Sequence, residues 1–138
     1  MVGTSDVSPD AVVAIRALID RCSDRFDTDD HDGYADCFAD DAVFVMGDGR
    51  TILGHAQLRE FAQTWHESNP GPVRHVNSEH EFQQDGSQVL GWCHVSVDFI
   101  DGASQEPVRF ERWYHDRYAD INGKWRIANR AVMNSREK

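Results

Sequence analysis

The chain lacks clusters of basic residues, since its 14 Lys and Arg are scattered among 24 Asp and Glu and the formal net charge is −10. Nucleic acids and anionic membrane surfaces bind clustered Lys and Arg, so this composition argues against both as partners. No apolar run approaches the about 20 residues that cross a bilayer. The first residues have neither the basic nor the apolar region of a signal peptide. We therefore expect a cytoplasmic protein.

Cysteine is scarce, and the motifs that hold cofactors are missing. Cys22, Cys37 and Cys93 are widely spaced and form no C-x-x-C motif, which is typical of small buried side chains in a reducing compartment. The seven histidines include no H-x-H or H-E-x-x-H spacing. There is no phosphate-binding glycine loop, nucleophile elbow or dinucleotide fingerprint. We expect no metal and no cofactor.

The histidines are also dispersed along the chain. His75 and His80 are five residues apart and would therefore face opposite sides of a regular strand. Four other histidines are expected at the surface. They are His31, His55, His66 and His115.

The length and periodicity of the chain predict a single domain that begins with helices. The chain has 138 residues, of which 40% are hydrophobic, and we expect a flexible tail over 1–8 and one domain over 9–138. Ser8-Pro9-Asp10 is a helix start, and shorter helical patterns follow at 31–38 and about 55–67. The apolar face of the first helix contains Ala11, Ile15, Leu18, Ile19, Cys22 and Phe26.

From Val73 onward the hydrophobic period changes to two, which predicts strands. Their expected ranges are 73–84, 88–100, 108–120 and 124–134, and their turns contain Asp85-Gly86, Asp101-Gly102 and Asn122-Gly123. Short strands at 42–46 and 51–53 precede the third helix. The pattern predicts an α+β fold, in which a curved antiparallel sheet wraps around three N-terminal helices and forms a cone-shaped pocket for a small apolar ligand.

Several short motifs, taken in their order and spacing, resemble the nuclear-transport-factor-2-like superfamily, and specifically the SnoaL-like group that includes scytalone dehydratase. The resemblance covers roughly residues 9–134. The motifs are Phe26-Asp27-Thr28-Asp29-Asp30, Cys37-Phe38-Ala39-Asp40-Asp41-Ala42, Ile52-Leu53-Gly54-His55, His75 and Asn122-Gly123-Lys124-Trp125-Arg126-Ile127.

The resemblance implies a catalytic pair of Asp27 and His75, because dehydratases of this group have an aspartate and a histidine at these positions. Three other polar positions of the dehydratases are occupied here by Phe26, Met46 and Phe99. Their loss argues against activation of a water molecule and leaves proton abstraction by His75. Without the resemblance, His75 is equally explained as an ordinary polar strand residue and Asp27 as a helix cap.

Proton abstraction needs a group that stabilises the developing negative charge. Arg112 and Tyr114 are candidates, because they share one face of the third long strand with Phe110, Asp116 and Tyr118. Arg112 and Asp116 could instead form a structural pair. Asn77, on the same strand face as His75, could orient the substrate or be an ordinary polar residue. The expected pocket wall consists of Phe26, Met46, Trp65, Val97 and Phe99.

These residues predict a lyase or isomerase that acts on a small, apolar, carbonyl-bearing molecule by dehydration, double-bond isomerisation or cyclisation. The alternative is a non-catalytic ligand-binding or assembly domain, such as a small subunit resembling the β-subunit of ring-hydroxylating dioxygenases. The resemblance further implies a homodimer or higher homo-oligomer that pairs through the outer sheet face. On the second long strand that face consists of Trp92, His94, Ser96 and Asp98.

Overall fold

The computed structural model describes residues 4–136, and in it three helices pack against one side of a long, curved sheet. The helices are α1 (Pro9–Asp27), α2 (His31–Asp36) and α3 (Gly54–Ser68). The strands are β1 (Thr4–Ser5), β2 (Phe38–Val45), β3 (Thr51–Leu53), β4 (Val73–Asp85), β5 (Gln88–Ile100), β6 (Pro107–Ile121) and β7 (Lys124–Met133). The predicted α+β architecture is confirmed.

Helix α1 forms where the sequence predicts it because both its start and its buried face are well specified. The Ser8 hydroxyl accepts a hydrogen bond from the Ala11 backbone N–H at 3.2 Å, which satisfies one of the free amides at the helix start. Pro9 occupies the first turn, where its missing N–H costs nothing. The buried side chains face the sheet, and they are Ile15, Leu18, Ile19, Cys22, Ser23 and Phe26.

The sheet has the strand order β1-β4-β5-β6-β7-β2-β3. Strands β4 to β7 form the predicted antiparallel meander, whereas β2 joins β7, and β1 joins β4, in parallel. Strand β2 begins four residues earlier than expected because Phe38 pairs with Ile127 of β7. This contact also shortens the predicted second helix, since Phe38 belongs to the strand.

The expected loose tail is wrong for part of its length. The backbone of Thr4 and Ser5 pairs with Phe82 and Gln83 at the edge of β4, and Val7 is buried. The unpaired amides of an edge strand offer partners to any adjacent extended segment, which explains the pairing. The remaining part of the predicted tail, residues 1–3, lies outside the described residues.

Two of the three predicted tight turns are present, and the third is a longer loop. Asn122 and Gly123 both have positive φ, as a two-residue hairpin turn requires. Between β5 and β6, however, the chain makes a loop over residues 101–106. A Cβ atom at Gly102 would lie 1.7 Å from the Ser68 carbonyl oxygen, so glycine is required there by the close approach of α3.

A bulge in β4 changes which way His80 faces. Ser78 pairs with His94 and Glu81 pairs with Trp92, so one extra residue is accommodated between them. His75 and His80 therefore lie on the same, helix-facing side, and the prediction of opposite faces is wrong. Burial lowers the pKa of His80, and the nearby Arg16 of α1 adds to that effect.

Within residues 4–136, the structure contains no helix with the length and apolar character needed to cross a membrane.

Candidate active site

Asp27 and His75 meet between the end of α1 and the first part of β4. The His75 Nδ1 atom lies 2.6 Å from Asp27 Oδ1, and the His75 backbone N–H donates to Asp27 Oδ2 at 2.8 Å. Their side chains are 16% and 13% exposed, respectively. Both carboxylate oxygens are thus engaged by one residue, which fixes the imidazole relative to the carboxylate.

The local structure around α1 places the carboxylate at this position. Phe26, the last buried residue of the helix, packs its ring 5.2 Å from the His75 ring. The carbonyl of Phe26 lies 2.6 Å from His66 Nε2 of α3, and His66 is only 11% exposed. The prediction of His66 as a surface residue is therefore wrong, because its ring ties α3 to the end of α1.

His55 is likewise partly buried rather than free at the surface. Its Nε2 atom lies 2.7 Å from the Phe38 carbonyl oxygen, at the point where α2 gives way to β2. Both histidines of α3 thus bind backbone carbonyls of the preceding elements. Helix α3 consequently closes one side of the space above the sheet.

The contact with Asp27 indicates which nitrogen of the His75 ring carries the proton and which can act as a base. An ionised carboxylate only accepts hydrogen bonds, so the short contact to Asp27 is made by an Nδ1–H group. In the neutral ring, the proton is then on Nδ1 and the lone pair is on Nε2. Within the described part of the chain, no protein group is hydrogen-bonded to Nε2. This atom is available to a ligand.

A cavity of about 500 Å³ lies beside the pair, between the helices and the concave side of the sheet. Ligand sites of small molecules commonly have this size. Seven of the residues predicted for the site line it, namely Phe26, Met46, Trp65, His75, Val97, Arg112 and Tyr114. The face of β6 that carries Arg112 and Tyr114 is therefore the concave one.

One predicted wall residue, Phe99, and the predicted substrate-orienting residue, Asn77, do not line the cavity. Phe99 lies behind Trp65, with ring centroids 5.2 Å apart, and also contacts Phe110. Asn77 donates from Nδ2 to the Ser23 hydroxyl at 2.8 Å, so Ser23 lies between Asn77 and the cavity. Both residues support the wall from outside and do not themselves line the cavity.

A buried ion pair below the cavity was not foreseen from the sequence. Arg130 Nε and Nη2 donate to the two oxygens of Asp116 at 3.0 and 2.9 Å, and Tyr118 donates to the same carboxylate at 2.7 Å. Burial opposes the charge of Arg130, but Asp116 holds its pKa well above the ordinary value. Asp116 therefore pairs with Arg130 and not with Arg112, which excludes the predicted structural pair.

Two buried tyrosines border the cavity next to this ion pair. Burial raises the pKa of both Tyr34 and Tyr114, so both phenols stay protonated near neutral pH. The Arg130 guanidinium carbon lies 3.7 Å above the Tyr114 ring, which holds this side chain in place. A neutral phenol can donate a hydrogen bond to a negatively charged oxygen. Tyr114 was predicted for this role; Tyr34 was not.

Comparison with known protein families identifies the fold. Residues 9–131 match the model of the SnoaL-like domain. The chain belongs to the SnoaL-like domain family. Among curated proteins none matches the sequence.

The SnoaL-like domain superposes well on several solved structures. Rv3472 from Mycobacterium tuberculosis, a protein of unknown function, is 28% identical over 96% of this chain and 79% of its own, with a TM-score of 0.81. LinA is 18% identical over 91% and 86%, with a TM-score of 0.82. A proposed scytalone dehydratase from Novosphingobium aromaticivorans is 13% identical over 93% and 89%, with a TM-score of 0.81. At 18% and 13% identity, the last two show a shared fold.

The cysteines of the SnoaL-like domain are free and buried, as predicted. Burial raises the pKa of Cys93 to about 12 and raises that of Cys22, whereas a hydrogen bond with Cys22 lowers the pKa of Cys37 to about 7. Among residues 4–136, no three or more His, Cys, Asp or Glu side chains are grouped so that they could hold a metal ion.

Proposed function

We propose that this SnoaL-like domain is a cofactor-independent lyase or isomerase in which His75 removes a proton from a small, apolar, carbonyl-bearing substrate. The observation that carries the proposal is the 2.6 Å contact between His75 Nδ1 and Asp27, which leaves Nε2 without a protein partner beside a cavity. A neutral imidazole is an effective general base near neutral pH.

In the proposed reaction, His75 Nε2 takes a proton from the carbon next to the carbonyl group. The electron pair of the broken C–H bond forms a carbon–carbon double bond, and the carbonyl oxygen becomes an enolate. Tyr114 and Tyr34 are the candidate donors to this oxygen because both phenols border the cavity and remain protonated. Asp27 stabilises the imidazolium ion that forms.

The enolate has three possible outcomes, and each returns His75 to its neutral form. Expulsion of a leaving group from the neighbouring carbon gives elimination, with the proton leaving on that group. Protonation at a different carbon gives a double-bond shift. Attack of the enolate carbon on a second carbonyl gives ring closure, and the imidazolium proton passes to the alkoxide oxygen that forms there. All three begin with the same proton transfer, so one base serves each of them.

The composition of the cavity supports a proton transfer that needs no activated water molecule. Phe26 and Met46 line the cavity at two positions where scytalone-type dehydratases have polar groups, and Phe99 replaces the third from behind Trp65. The remaining apolar wall favours an aromatic, polyketide or terpenoid intermediate. A cavity of about 500 Å³ accommodates a molecule of two or three fused rings.

The alternative is a ligand-binding or assembly domain without catalysis. A cavity filled by side chains, or an Asp27 and His75 that point apart, would favour this alternative. Neither feature is present, since the cavity has free volume and the two side chains are hydrogen-bonded. We therefore favour the enzyme.

We further propose that two copies of the chain pair through the outer face of the sheet. The Trp92 ring stacks on His115 with centroids 4.0 Å apart, and the His94 ring contacts Trp113 at 5.1 Å. Three of these rings are half-buried and that of His115 is exposed, and together they provide apolar area next to polar groups, as protein interfaces often do. Light scattering that gives twice the mass of 15.7 kDa would support the pairing, and a monomer mass would contradict it.

The function is tested by deuterium exchange at the carbon next to a ketone. The protein is incubated in D₂O with a panel of bicyclic ketones and enones that starts with α-tetralone, and NMR measures the loss of the α-proton signal. We expect the wild-type chain to accelerate the exchange and His75→Ala to lose most of the acceleration. Exchange that is equal with and without protein across the panel, or that is unchanged in His75→Ala, would overturn the proposal.

A further inference from the structure

Three arginines line the cavity, and two of them are neutralised by a carboxylate. Arg130 is bound by Asp116, and Arg50 Nε donates to Asp48 at 2.9 Å. Arg112 differs, because no carboxylate lies within ion-pair distance of it anywhere in residues 4–136. In a chain of net charge −10, this guanidinium is a positive charge that the fold leaves available to the cavity.

The surroundings of Arg112 hold its guanidinium in place. The group lies 4.9 Å above the Phe110 ring, and its Nη1 atom donates to the Glu111 carbonyl at 2.8 Å. A guanidinium has five N–H donors in a planar arrangement, so most of them remain free here. Stacking on an aromatic ring keeps the plane of the group fixed and reduces the entropy lost on ligand binding.

A second hydrogen-bonding group lines the same cavity as Arg112. Trp113, the residue after Arg112, pairs with Met133, the last residue of β7, and Asn134 follows Met133 in the chain. Asn134 also lines the cavity, and it is exposed to solvent. An arginine and an amide that line one cavity form a set of N–H donors that suits the two oxygens of a carboxylate.

The position of Arg112 relative to His75 sets the size of a ligand that reaches both. His75 pairs with Val97 of β5, and Val97 pairs with Phe110 of β6, two residues before Arg112. Two strand spacings and an offset of two residues place the Cα atoms of His75 and Arg112 about 12 Å apart. Both side chains line the same cavity, so one bound molecule can contact both.

We propose that the substrate of this site carries a carboxylate, which Arg112 and Asn134 bind at one end of the cavity while His75 acts on a ring carbon at the other. This inference rests on the proposed function for the reacting end of the substrate. The carboxylate is already charged before the proton transfer. Arg112 therefore binds the ground state and the transition state equally, and its loss raises KM and leaves kcat nearly unchanged.

The test compares two probes that differ only in charge. One is α-tetralone with a carboxylate on its aromatic ring, across the bicycle from the ketone, and the other is the methyl ester of that acid. Isothermal titration calorimetry measures the Kd of each probe for the full chain, and NMR measures deuterium exchange next to the ketone. The variants are Arg112→Gln and, as the matched control for the loss of one positive charge, Lys124→Gln at the exposed first residue of β7.

We expect the wild-type chain to bind the acid about tenfold or more tightly than the ester, because hydrogen bonds between charged groups are stronger than neutral ones. Arg112→Gln should abolish this difference and raise the acid concentration that gives half-maximal exchange, whereas Lys124→Gln should retain the difference. Equal affinity for acid and ester, a preference that survives in Arg112→Gln, or undetectable binding of the acid would overturn the inference.

The same measurements separate this inference from the proposed function. A preference for the acid that depends on Arg112, without any catalysed exchange, would support the carboxylate site and contradict the catalytic role of His75. Exchange that depends on His75 but shows no preference for the acid would support the function and contradict the carboxylate site.

Discussion

Two pairs of charged side chains lie between the helices and the sheet, and they differ in burial. The side chains of Asp116 and Arg130 are 0% and 2% exposed, and three donors from Arg130 and Tyr118 occupy the carboxylate. Asp27 and His75 are 16% and 13% exposed, and His75 lines the cavity. Arg130 also borders the cavity, but its charge is already neutralised by Asp116, whereas His75 keeps one ring nitrogen free for a ligand.

The difference shows that the role of a carboxylate pair depends on which hydrogen-bonding atoms of the pair remain free. Arg130 keeps its proton because Asp116 raises its pKa, and its guanidinium also packs on the Tyr114 ring. His75 is held by Asp27 through one ring nitrogen only, and the other nitrogen remains a proton acceptor. This difference is the basis for proposing proton transfer by Asp27 and His75 and a structural role for Asp116 and Arg130.

The largest predicted effect separates the two pairs by activity. His75→Ala should lower the rate of deuterium exchange in a bicyclic ketone about 10²- to 10⁴-fold, because a positioned general base contributes this much. Its stability should stay within about 1 kcal/mol of wild type, since the backbone N–H of residue 75 still binds Asp27. NMR exchange rates and urea unfolding measure the two quantities. If the variant unfolds instead, the main role of His75 is structural, like that of Asp116 and Arg130.

The buried pair should show the reverse pattern. Arg130→Met removes one partner and leaves the Asp116 charge buried without a counterion, so the free energy of unfolding should fall by about 3–5 kcal/mol. Urea denaturation followed by tryptophan fluorescence measures this loss. A fall below about 1 kcal/mol would mean that the buried pair contributes little to the fold.

A double variant serves as the control for the buried pair. Asp116→Asn combined with Arg130→Met removes both charges and retains an oxygen that can accept the Tyr118 hydroxyl proton. We expect it to be clearly more stable than Arg130→Met alone, because no unpaired charge remains. Equal destabilisation of the two would show that lost packing, and not the buried charge, causes the effect.

A smaller effect is expected for the residue that orients the base. Asp27→Asn retains the shape of the side chain but removes its charge, so it no longer favours the Nδ1–H form of His75 or stabilises the imidazolium. The exchange rate should fall at least about tenfold, with the binding of ketone nearly unchanged. If the variant has a raised KM and a normal kcat, Asp27 contributes to substrate binding and not to proton transfer.

The smallest effect is expected for Ser8, which lies outside both pairs and serves as a reference. Ser8→Ala removes the hydroxyl that accepts the Ala11 N–H at the start of α1 and should cost about 1 kcal/mol. Exchange activity should be unaffected at temperatures well below unfolding. Thermal unfolding and the exchange assay measure both. Loss of activity without loss of stability would mean that the start of α1 influences the site.

Much of the fold follows from local signals in the sequence. The helix start at Ser8-Pro9, the period of two after Val73 and the Asn122-Gly123 turn each depend on neighbouring residues, and each is present. The parallel pairing of β2 with β7 joins segments that are far apart in the chain, and no local pattern encodes it. The bulge at Glu79 could not be predicted from the sequence either, because one inserted residue leaves the alternation of apolar and polar residues on either side intact.

The hydrogen-bonded pair at the centre of the candidate site was predictable only through the resemblance. The resemblance indicated Asp27 and His75, which are hydrogen-bonded in the structure, although their 48-residue separation gives no such information alone. Arg130 was missed because its partner is fixed by the register of β6 and β7. The sequence signal that indicates such a partner is Asp116, which lies between two inward-facing tyrosines. A carboxylate buried at that position requires a cation.

The measurement that tests the central claim most directly is the tautomer of His75. Long-range ¹H–¹⁵N NMR on the labelled chain at alkaline pH, where imidazole is neutral, distinguishes a protonated from an unprotonated ring nitrogen, and the His75→Ala spectrum identifies the signal. The account predicts a proton on Nδ1 and a free lone pair on Nε2, and a shift away from this form in Asp27→Asn. A proton on Nε2 in the wild-type chain would contradict it, because the nitrogen that faces the ligand could not then act as the base.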